Sequence, residues 1–551
     1  AGVFDMSRII VVIPARGGSK RIPRKNVRIM NGKPLILYSI ENASALAKDH
    51  DVDVVVSTDD EELMGIVRAH GMEVIERDPV LAADKVTLDP VIYDAVLKKE
   101  AMKGIKYDIV ITMQATSPTL KKETLISAVE LFEKEDFDTM ISCVNKPHLS
   151  WTKKDGQIIK NYEKRLNSQE LPCNFLETGA FLITKRECVN ENTRIGDRIT
   201  VFETDANEAV DIDTEEDWIA AESILKRKKI LLRCVGQQKL GMGHIYRCLT
   251  IAYKLIGNDL LFVTDSESHM GIEKLKESFF PMEIVKNDWE YEEVLKNYMP
   301  DVVINDVLDT DENLIKLERK YTNRIVNFED MGPGAWLADA VINALYENRK
   351  NKPSNVYEGS DYFFIRDEFL EEKPKDFSEE CRNIMIMFGG ADPSNLTGKL
   401  YDICKVLHPK MPDVEFHFLT GFAYENKEGI KDEPESNIFV HHDAKRVSFY
   451  MKQADLCITS QGRTVFELAS MGVPAIVLAQ NEREAEHVFA GMGNGFINLG
   501  IGSETDSLTI IKTIQYLADM PKVRWEMRNL QLSKKFEKGQ ERVIKIILNE
   551  E

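Results

Sequence analysis

An α/β architecture follows from three features of this 551-residue sequence. Short apolar runs bounded by turn residues alternate with helical patterns, which is the rhythm of a mainly parallel sheet covered by helices on both faces. The rhythm stops at a basic cluster near residue 229 and begins again from a new strand. Several of the strands run straight into glycine-rich turns, the places where open α/β sheets bind ligands.

In the first region the strand candidates are Ile9–Ile13, Val52–Val56, Ile109–Met113, Met140–Val144 and Ala180–Ile183. A helix ends in Glu222-Ser-Ile-Leu-Lys-Arg-Lys-Lys229, and Ile230–Val235 restarts the pattern. Asp301–Ile304, Arg324–Phe328 and Ala340–Asn343 continue it; a Pro-, Asp-, Glu- and Lys-rich stretch from 350 to 380 reads as a hinge between two lobes. Ile384–Phe388, Glu415–Leu419, Leu456–Thr459 and Ala475–Leu478 complete the second lobe. Domains hold roughly 100–200 residues, and the pattern bounds three of them at 6–227, 229–375 and 380–551.

Hydrophobic content of 43% and charged content of 29% are those of a globular chain. The 71 Lys and Arg against 91 Asp and Glu leave a formal net charge of −20, which argues against a nucleic-acid or anionic-membrane surface. No apolar run approaches the roughly 18–20 residues that span a bilayer, no signal core opens the chain, and Ala1–Asp5 ahead of Met6 read as an expression remnant. Eight cysteines without a CxxC or a zinc-type pairing read as thiols in a reducing compartment, so a cytoplasmic location is expected.

The first chemistry lies after Ile9–Ile13, in Pro14-Ala-Arg-Gly-Gly-Ser-Lys-Arg-Ile-Pro-Arg-Lys-Asn26. Glycines let the backbone approach a ligand, and Arg16, Lys20, Arg21 and Lys25 gather positive charge suited to a triphosphate. The loop is neither a Walker A motif nor a dinucleotide GxGxxG turn, and the same residues also read as a solvated basic loop. Downstream, Asp211 and Asp213 share a face of an extended segment and could hold Mg²⁺ while phosphates complete its shell. The plainer alternative is an acidic helix start capped by Asp213 or Thr214.

These residues resemble the cytidylyltransferases that activate sialic acid and related nine-carbon keto-sugars. The resemblance runs from about Met6 to Leu225, through the loop above with Lys25-Asn26, Ser57-Thr58-Asp59, Arg77-Asp-Pro-Val-Leu-Ala-Ala-Asp84, Met113-Gln-Ala-Thr-Ser-Pro118, Glu177-Thr-Gly-Ala180 and Asp211-Ile-Asp213. Any one motif alone is unspecific; six in order are not. The resemblance implies a Rossmann-like nucleotidyltransferase domain that binds CTP through Ala15, Arg16, Gly17, Ser19, Lys20, Lys25, Asn26 and Arg77. It implies Gln114, Thr116 and Ser117 at the keto-sugar, Mg²⁺ on Asp211 and Asp213, and catalytic work by Arg16, Lys25 and Asp211. Ala115 stands where such proteins more often have proline. A homodimer through about 145–172 is implied as well, and another keto-sugar acid, such as an eight-carbon one, is the alternative substrate.

The second chemistry follows Ile230–Val235, in a glycine-rich turn that ends Gly241-Met-Gly-His244. His244 at a helix start, facing a cleft between lobes, is usable as a general base, and equally reads as a structural histidine. Phe388-Gly-Gly-Ala-Asp-Pro393 and Ser460-Gln-Gly-Arg-Thr464 end strands of the far lobe; backbone N–H groups at 461–464 could hold a diphosphate and Glu467 a ribose, or Ser460 simply caps the helix. With Arg247, Tyr362-Phe-Phe-Ile-Arg-Asp-Glu-Phe369 and Gly472-Val-Pro474, this region resembles the UDP-sugar hydrolase of pseudaminic acid biosynthesis over about 229–500.

That resemblance implies the two-lobed GT-B fold of related glycosyltransferases, with Gly243, Arg247, Gly390, Ser460, Gly462, Arg463, Thr464 and Glu467 at a UDP-sugar. It implies water activated by His244 for the release of UDP and a free diacetamido-trideoxyhexose, without a metal. Asn305-Asp-Val-Leu308 and Asn327-Phe-Glu-Asp330 depart from the usual Asp-Ser-Tyr and Asp-Asp patterns. Glycosyl transfer and a catalytically silent nucleotide-sugar sensor therefore stay open beside hydrolysis. The acidic excess reads as a solvating exterior around local basic pockets.

Overall fold

The computed structural model describes residues 6–237 and 241–550. Ala1–Asp5 and residues 238–240 of the glycine-rich turn lie outside them. The chain divides into two compact units between Arg227 and Lys228.

The first unit is built on seven strands: β1 (Arg8–Pro14), β2 (Asp51–Thr58), β3 (Glu73–Glu76), β4 (Ile109–Thr112), β5 (Thr139–Asn145), β6 (Phe175–Lys185) and β7 (Ile199–Glu203), in the order β7-β5-β6-β4-β1-β2-β3. Ile9 to Ile13 are all fully buried, as an unbroken apolar strand in the middle of such a sheet must be. Ile9, Val11 and Ile13 enter one core and Ile10 and Val12 the other, because successive side chains leave a strand on opposite faces. The sheet departs from a parallel one at β6, which runs antiparallel to both β4 and β5. A register shift between Glu177 and Leu182 leaves Thr178–Phe181 as a bulge. Thr214, not Asp213, caps the helix Glu215–Leu225, in a capping box with Asp217.

The second unit holds two sheets in which all the strands pair parallel. The first comprises β8 (Lys229–Cys234), β9 (Asp259–Asp265), β10 (Met282–Val285), β11 (Val302–Asp306), β12 (Arg324–Phe328), β13 (Ala340–Asn343) and β14 (Val356–Glu358), ordered β10-β9-β8-β11-β12-β13-β14. The second comprises β15 (Asn383–Met387), β16 (Glu415–Thr420), β17 (Ile438–His442), β18 (Leu456–Thr459), β19 (Ala475–Ala479) and β20 (Phe496–Ile501), ordered β17-β16-β15-β18-β19-β20. Strand order reverses between β8 and β11 and between β15 and β18. Ligands of open α/β sheets bind at such switch points, outside the carboxyl ends of the strands. His244, Asp306, Gly390 and Ser460 stand at or just beyond the carboxyl ends of these four strands.

Two sequence boundaries shift. The 350–380 stretch is not a loose hinge: Val356–Glu358 is a seventh strand, and Phe363, Ile365 and Phe369 are buried in a core shared with the second lobe. Its charges conceal this because they are paired, Arg349 and Lys352 both closing on Glu358. The last helix, Gly539–Leu548, returns to the first lobe, where Val543 and Ile547 pack beside β8 and β11 and Arg324 donates to the main-chain oxygen of Ile547 at 3.2 Å. Among the described residues no helix is long and apolar enough to cross a membrane.

Candidate functional site

In the first unit the basic loop is folded onto the carboxyl ends of β1 and β2. Ala15 N–H donates to Ser57 O at 2.9 Å, Gly17 N–H to Asp59 Oδ1 at 3.4 Å, and Asn26 Nδ2 to Arg16 O at 3.1 Å. Gly17 passes so close to Asp60 that a Cβ there would lie 2.4 Å from Oδ2, so the approach demands glycine. Ser19 N–H turns back to Gly17 O at 3.1 Å. Arg77, buried, donates to Ser57 O at 2.9 Å, which places it under the same loop.

Two further segments meet the loop. Lys25 Nζ donates to Ile212 O at 2.6 Å, and Ile212 N–H donates to Thr116 O at 2.9 Å. This threads the Asp211-Ile-Asp213 segment between the loop and the Gln114–Ser117 turn. Ser117 Oγ bonds Thr178 O at 3.0 Å, and Gly179, at φ +71°, lets the bulge lie against Gln114, whose carboxamide would be 3.3 Å from a Cβ at 179. All the residues expected at CTP, keto-sugar and Mg²⁺ thus border one region of the unit.

The charges are not free. Asp84 takes Arg16 Nη1 at 3.0 Å and Lys20 Nζ at 2.5 Å, and the Lys20 ammonium holds its carboxyl below the usual range. Arg21 reaches Asp213 at 3.8 Å. Desolvation pulls the Lys25 ammonium below its ordinary value against the pull of Asp213 and Asp211. Partial desolvation lifts the Asp211 carboxyl, and the like charge of Asp213 adds to it. Among the described residues no three His, Cys, Asp or Glu side chains gather as a metal cage. Two carboxylates either side of Ile212 fit Mg²⁺ nonetheless, since that ion takes one or two carboxylates and completes its shell with phosphates and water. Asp84, quoted within a motif, carries no role in the sequence; its pairing with Arg16 and Lys20 spans separations of 68 and 64 residues.

In the second unit the turns after β8, β15 and β18, with Phe328 and Glu329 at the end of β12, line a cleft of about 480 Å³. Gly243, Arg247, Gly390, Ser460, Gly462, Arg463, Thr464 and Glu467 all line it. His244 does not: it is 4% exposed, with Nδ1 2.6 Å from Asp306 Oδ1. The expectation of a histidine facing the cleft is thus corrected, because its ring is drawn inward to a fully buried carboxylate. Arg247 holds the same Asp306 with Nε on Oδ2 at 2.6 Å and Nη2 on Oδ1, and sends Nη1 to Glu329 at 2.5 Å. Arg463 of the far lobe closes on Glu329 at 3.0 Å. Against the cost of burial, Arg247 holds both Asp306 and Glu329 below the usual carboxylate range. A chain of alternating charge therefore joins the lobes, with Gly243 as its condition, since a Cβ there would lie 1.8 Å from Arg463 Nη1.

Three other expectations change in detail. Glu467 is engaged with Arg366, Nε to Oε1 at 3.0 Å, so any ribose contact is shared with that pair. Gln461 N–H, expected free for a diphosphate, already donates to Glu484 Oε1 at 2.7 Å. Ser460 is no helix cap, because the helix begins at Thr464 with Arg463 in the cap position. Beside the departing Val307-Leu308, Asn305 is a buried structural residue that donates to Glu318 at 2.7 Å and Asn327 at 3.0 Å, and Asp330 is tied to Thr310 N–H at 2.9 Å. Asp306 and Glu329 escape sequence reasoning because each partner lies far away along the chain, and Glu484 because its reach to Gln461 spans 23 residues.

The family model described as cytidylyltransferase matches residues 10–226. A pseudaminic acid cytidylyltransferase of Campylobacter jejuni is 33% identical over 227 residues, 39% of this chain and 96% of that protein. An uncharacterized protein of Methanocaldococcus jannaschii is 34% identical over 283 residues, 47% of this chain; the match spans 57% of that protein's length. The spore coat polysaccharide biosynthesis protein SpsG of Bacillus subtilis is 28% identical over 292 residues, 50% of this chain and 85% of that protein. Half of the chain is more than the first unit holds, so the last similarity takes in residues of the second.

Proposed function

Through residues 10–226 the chain belongs to the cytidylyltransferase family, and on that premise we propose that its first unit transfers CMP from CTP to the anomeric hydroxyl of a nonulosonic acid and releases pyrophosphate. The observation that carries this reading is Ile212, bonded on one side to Lys25 and on the other to Thr116, which brings both aspartates to the basic loop. In the reaction Arg16, Lys20 and Lys25 bind the triphosphate, Asn26 and Arg77 the cytosine side, and Gln114, Thr116 and Ser117 orient the sugar acid. The anomeric oxygen attacks the α-phosphorus and the bond to pyrophosphate breaks. Fixed donors that stabilise charge on the phosphates are the main source of rate. Asp211 and Asp213 would hold Mg²⁺, which when bound would neutralise part of that charge. CTP with a panel of nine- and eight-carbon keto-sugar acids tests the reading by pyrophosphate release.

For the second unit we propose a nucleotide-sugar site that hydrolyses a UDP-diacetamido-trideoxyhexose. The His244–Asp306 pair supports it: Nδ1 faces the carboxylate, which leaves Nε2 as the nitrogen able to take a proton from water. Release of UDP and free hexose without an acceptor is the test. The 4% exposure of His244 favours a second reading, a nucleotide-sugar sensor without turnover, which tight binding with no product would reveal.

A homodimer through the first unit is proposed on the hairpin Trp151–Lys154 and Gln157–Lys160, where Trp151 is 55% and Ile158 64% exposed. Sedimentation of the parent against Trp151→Glu with Ile158→Glu tests it. Eight free thiols suit a reducing compartment, and we place the protein in the cytoplasm.

A further inference from the structure

We infer that Glu484 stands, in the free protein, where the diphosphate of a nucleotide has to sit, so that a nucleoside diphosphate enters the far lobe only by displacing this carboxylate. The inference rests on the reading of the second unit as a nucleotide-sugar site.

Glu484 lies on the short helix Glu482–Ala485, whose cap, Asn481, accepts its N–H at 2.9 Å. The side chain leaves that helix and crosses to the turn after β18. There Oε1 accepts Gln461 N–H at 2.7 Å and Gln480 N–H at 3.2 Å. Oε2 lies beside Gly462, 3.9 Å from where its Cβ would be. Glu484, Gln480 and Gly462 all line the cleft. Backbone N–H groups at a strand-to-helix turn attract anions, and here the anion is the protein's own.

The neighbouring terminus is filled in the same way. Asp392, in the Gly-rich turn after β15, accepts Leu396 N–H at 3.0 Å and Thr397 N–H at 2.8 Å at the start of the helix Leu396–Leu407. Gln480 ties the two acids together, its Nε2 donating to Asp392 Oδ1 at 2.8 Å. A diphosphate arriving at this wall meets the N–H groups of Gln461, Gln480, Leu396 and Thr397 already taken, by carboxylates of its own sign. The Glu484 carboxyl is also the more readily given up, since burial pushes it up to about 7, with the charge of Asp392 adding to the effect. Arg463 is the cation at the same turn, and its Nη2 is committed to Glu329.

Glu484→Gln keeps an acceptor oxygen for the turn and removes the charge, Glu484→Ala also frees the Gln461 and Gln480 N–H groups, and the Asn481 cap, which takes the main-chain N–H of 484, is kept in both. The test is calorimetric titration of the full chain with UDP, for the parent, Glu484→Gln and Glu484→Ala, with phosphate-free uridine as control. The expected result is UDP binding at least about tenfold tighter in the variants, with uridine unchanged. Loss of structure would weaken both ligands, so a selective gain separates the two roles, and two variants guard against one failing to fold. If the parent binds UDP and both variants bind it equally or more weakly, the inference fails while the UDP site stands. If none of the three binds UDP at millimolar concentration, the UDP reading fails and takes the inference with it.

Discussion

Lys25 donates to the main-chain oxygen of Ile212 at 2.6 Å, so the residue between the two aspartates proposed for Mg²⁺ is fixed by the loop proposed for the triphosphate. Removing the ammonium takes away the proposed phosphate donor together with its bond to the Asp211–Asp213 segment. Lys25→Met is expected to lower kcat/KM for CTP by roughly 10²–10³ with the first unit still folded. Steady-state pyrophosphate release, with circular dichroism as the folding check, measures this; loss below tenfold would detach Lys25 from the chemistry.

Gly243 and Arg463 form a second such pair, across the lobes of the second unit. A methyl at 243 collides with the far end of a flexible side chain rather than with backbone, so Gly243→Ala should fold, with Arg463 expelled from Glu329. A destabilisation of about 1–2 kcal/mol is expected. In an Arg463→Ala background the same change should cost almost nothing, and a double-mutant cycle by urea denaturation reads the difference.

Asp306 and His244 are expected to respond unequally. Asp306→Asn strips both Arg247 and His244 of a buried partner and should cost about 3–5 kcal/mol. His244→Ala leaves Asp306 gripped by Arg247, so it should be the milder change in stability while abolishing any hydrolysis, a loss of roughly 10²–10⁴. Thermal unfolding beside a UDP-release assay separates the two effects; hydrolysis as fast as the parent's would end the general-base role of His244.

Glu318 carries a pH dependence of known sign. Fully buried and bonded to Tyr291 and Asn305, it is pushed from 4.5 up to about 7 by burial. Between those pH values the folded chain holds a proton that the unfolded chain has lost. Its contribution to stability is therefore complete below about 4.5 and declines as pH rises to about 7, by up to about 3 kcal/mol. Glu318→Gln should flatten that decline in the unfolding of the second unit between pH 5 and 8, and an unchanged slope would contradict it.

Central strands are legible in the sequence because burial on both faces forces unbroken apolar runs: Ile9–Ile13 and Ala475–Leu478 are fully buried. Edge strands are not. Ile199–Glu203 and Val356–Glu358 are partly exposed along their length, so their residues read as loop. The antiparallel course of β6 is equally hidden, since strand direction leaves no mark on composition. Of the sites, the glycines and basic residues of the first loop stand within a dozen positions of one another and can be read directly. Asp84, Asp306 and Glu329 act on partners tens of residues or more away, Glu484 reaches back to Gln461 as well as to its neighbour Gln480, and only folding discloses that the loops expected to hold phosphates are already met by carboxylates.

The most direct test of the account is pyrophosphate release by the purified chain with CTP, Mg²⁺ and a nonulosonic acid. The prediction is a stoichiometric CMP-sugar product, dependent on the acid and reduced at least a hundredfold in Asp211→Ala. No pyrophosphate with any keto-sugar acid offered, or near-parental activity in Asp211→Ala, would contradict it.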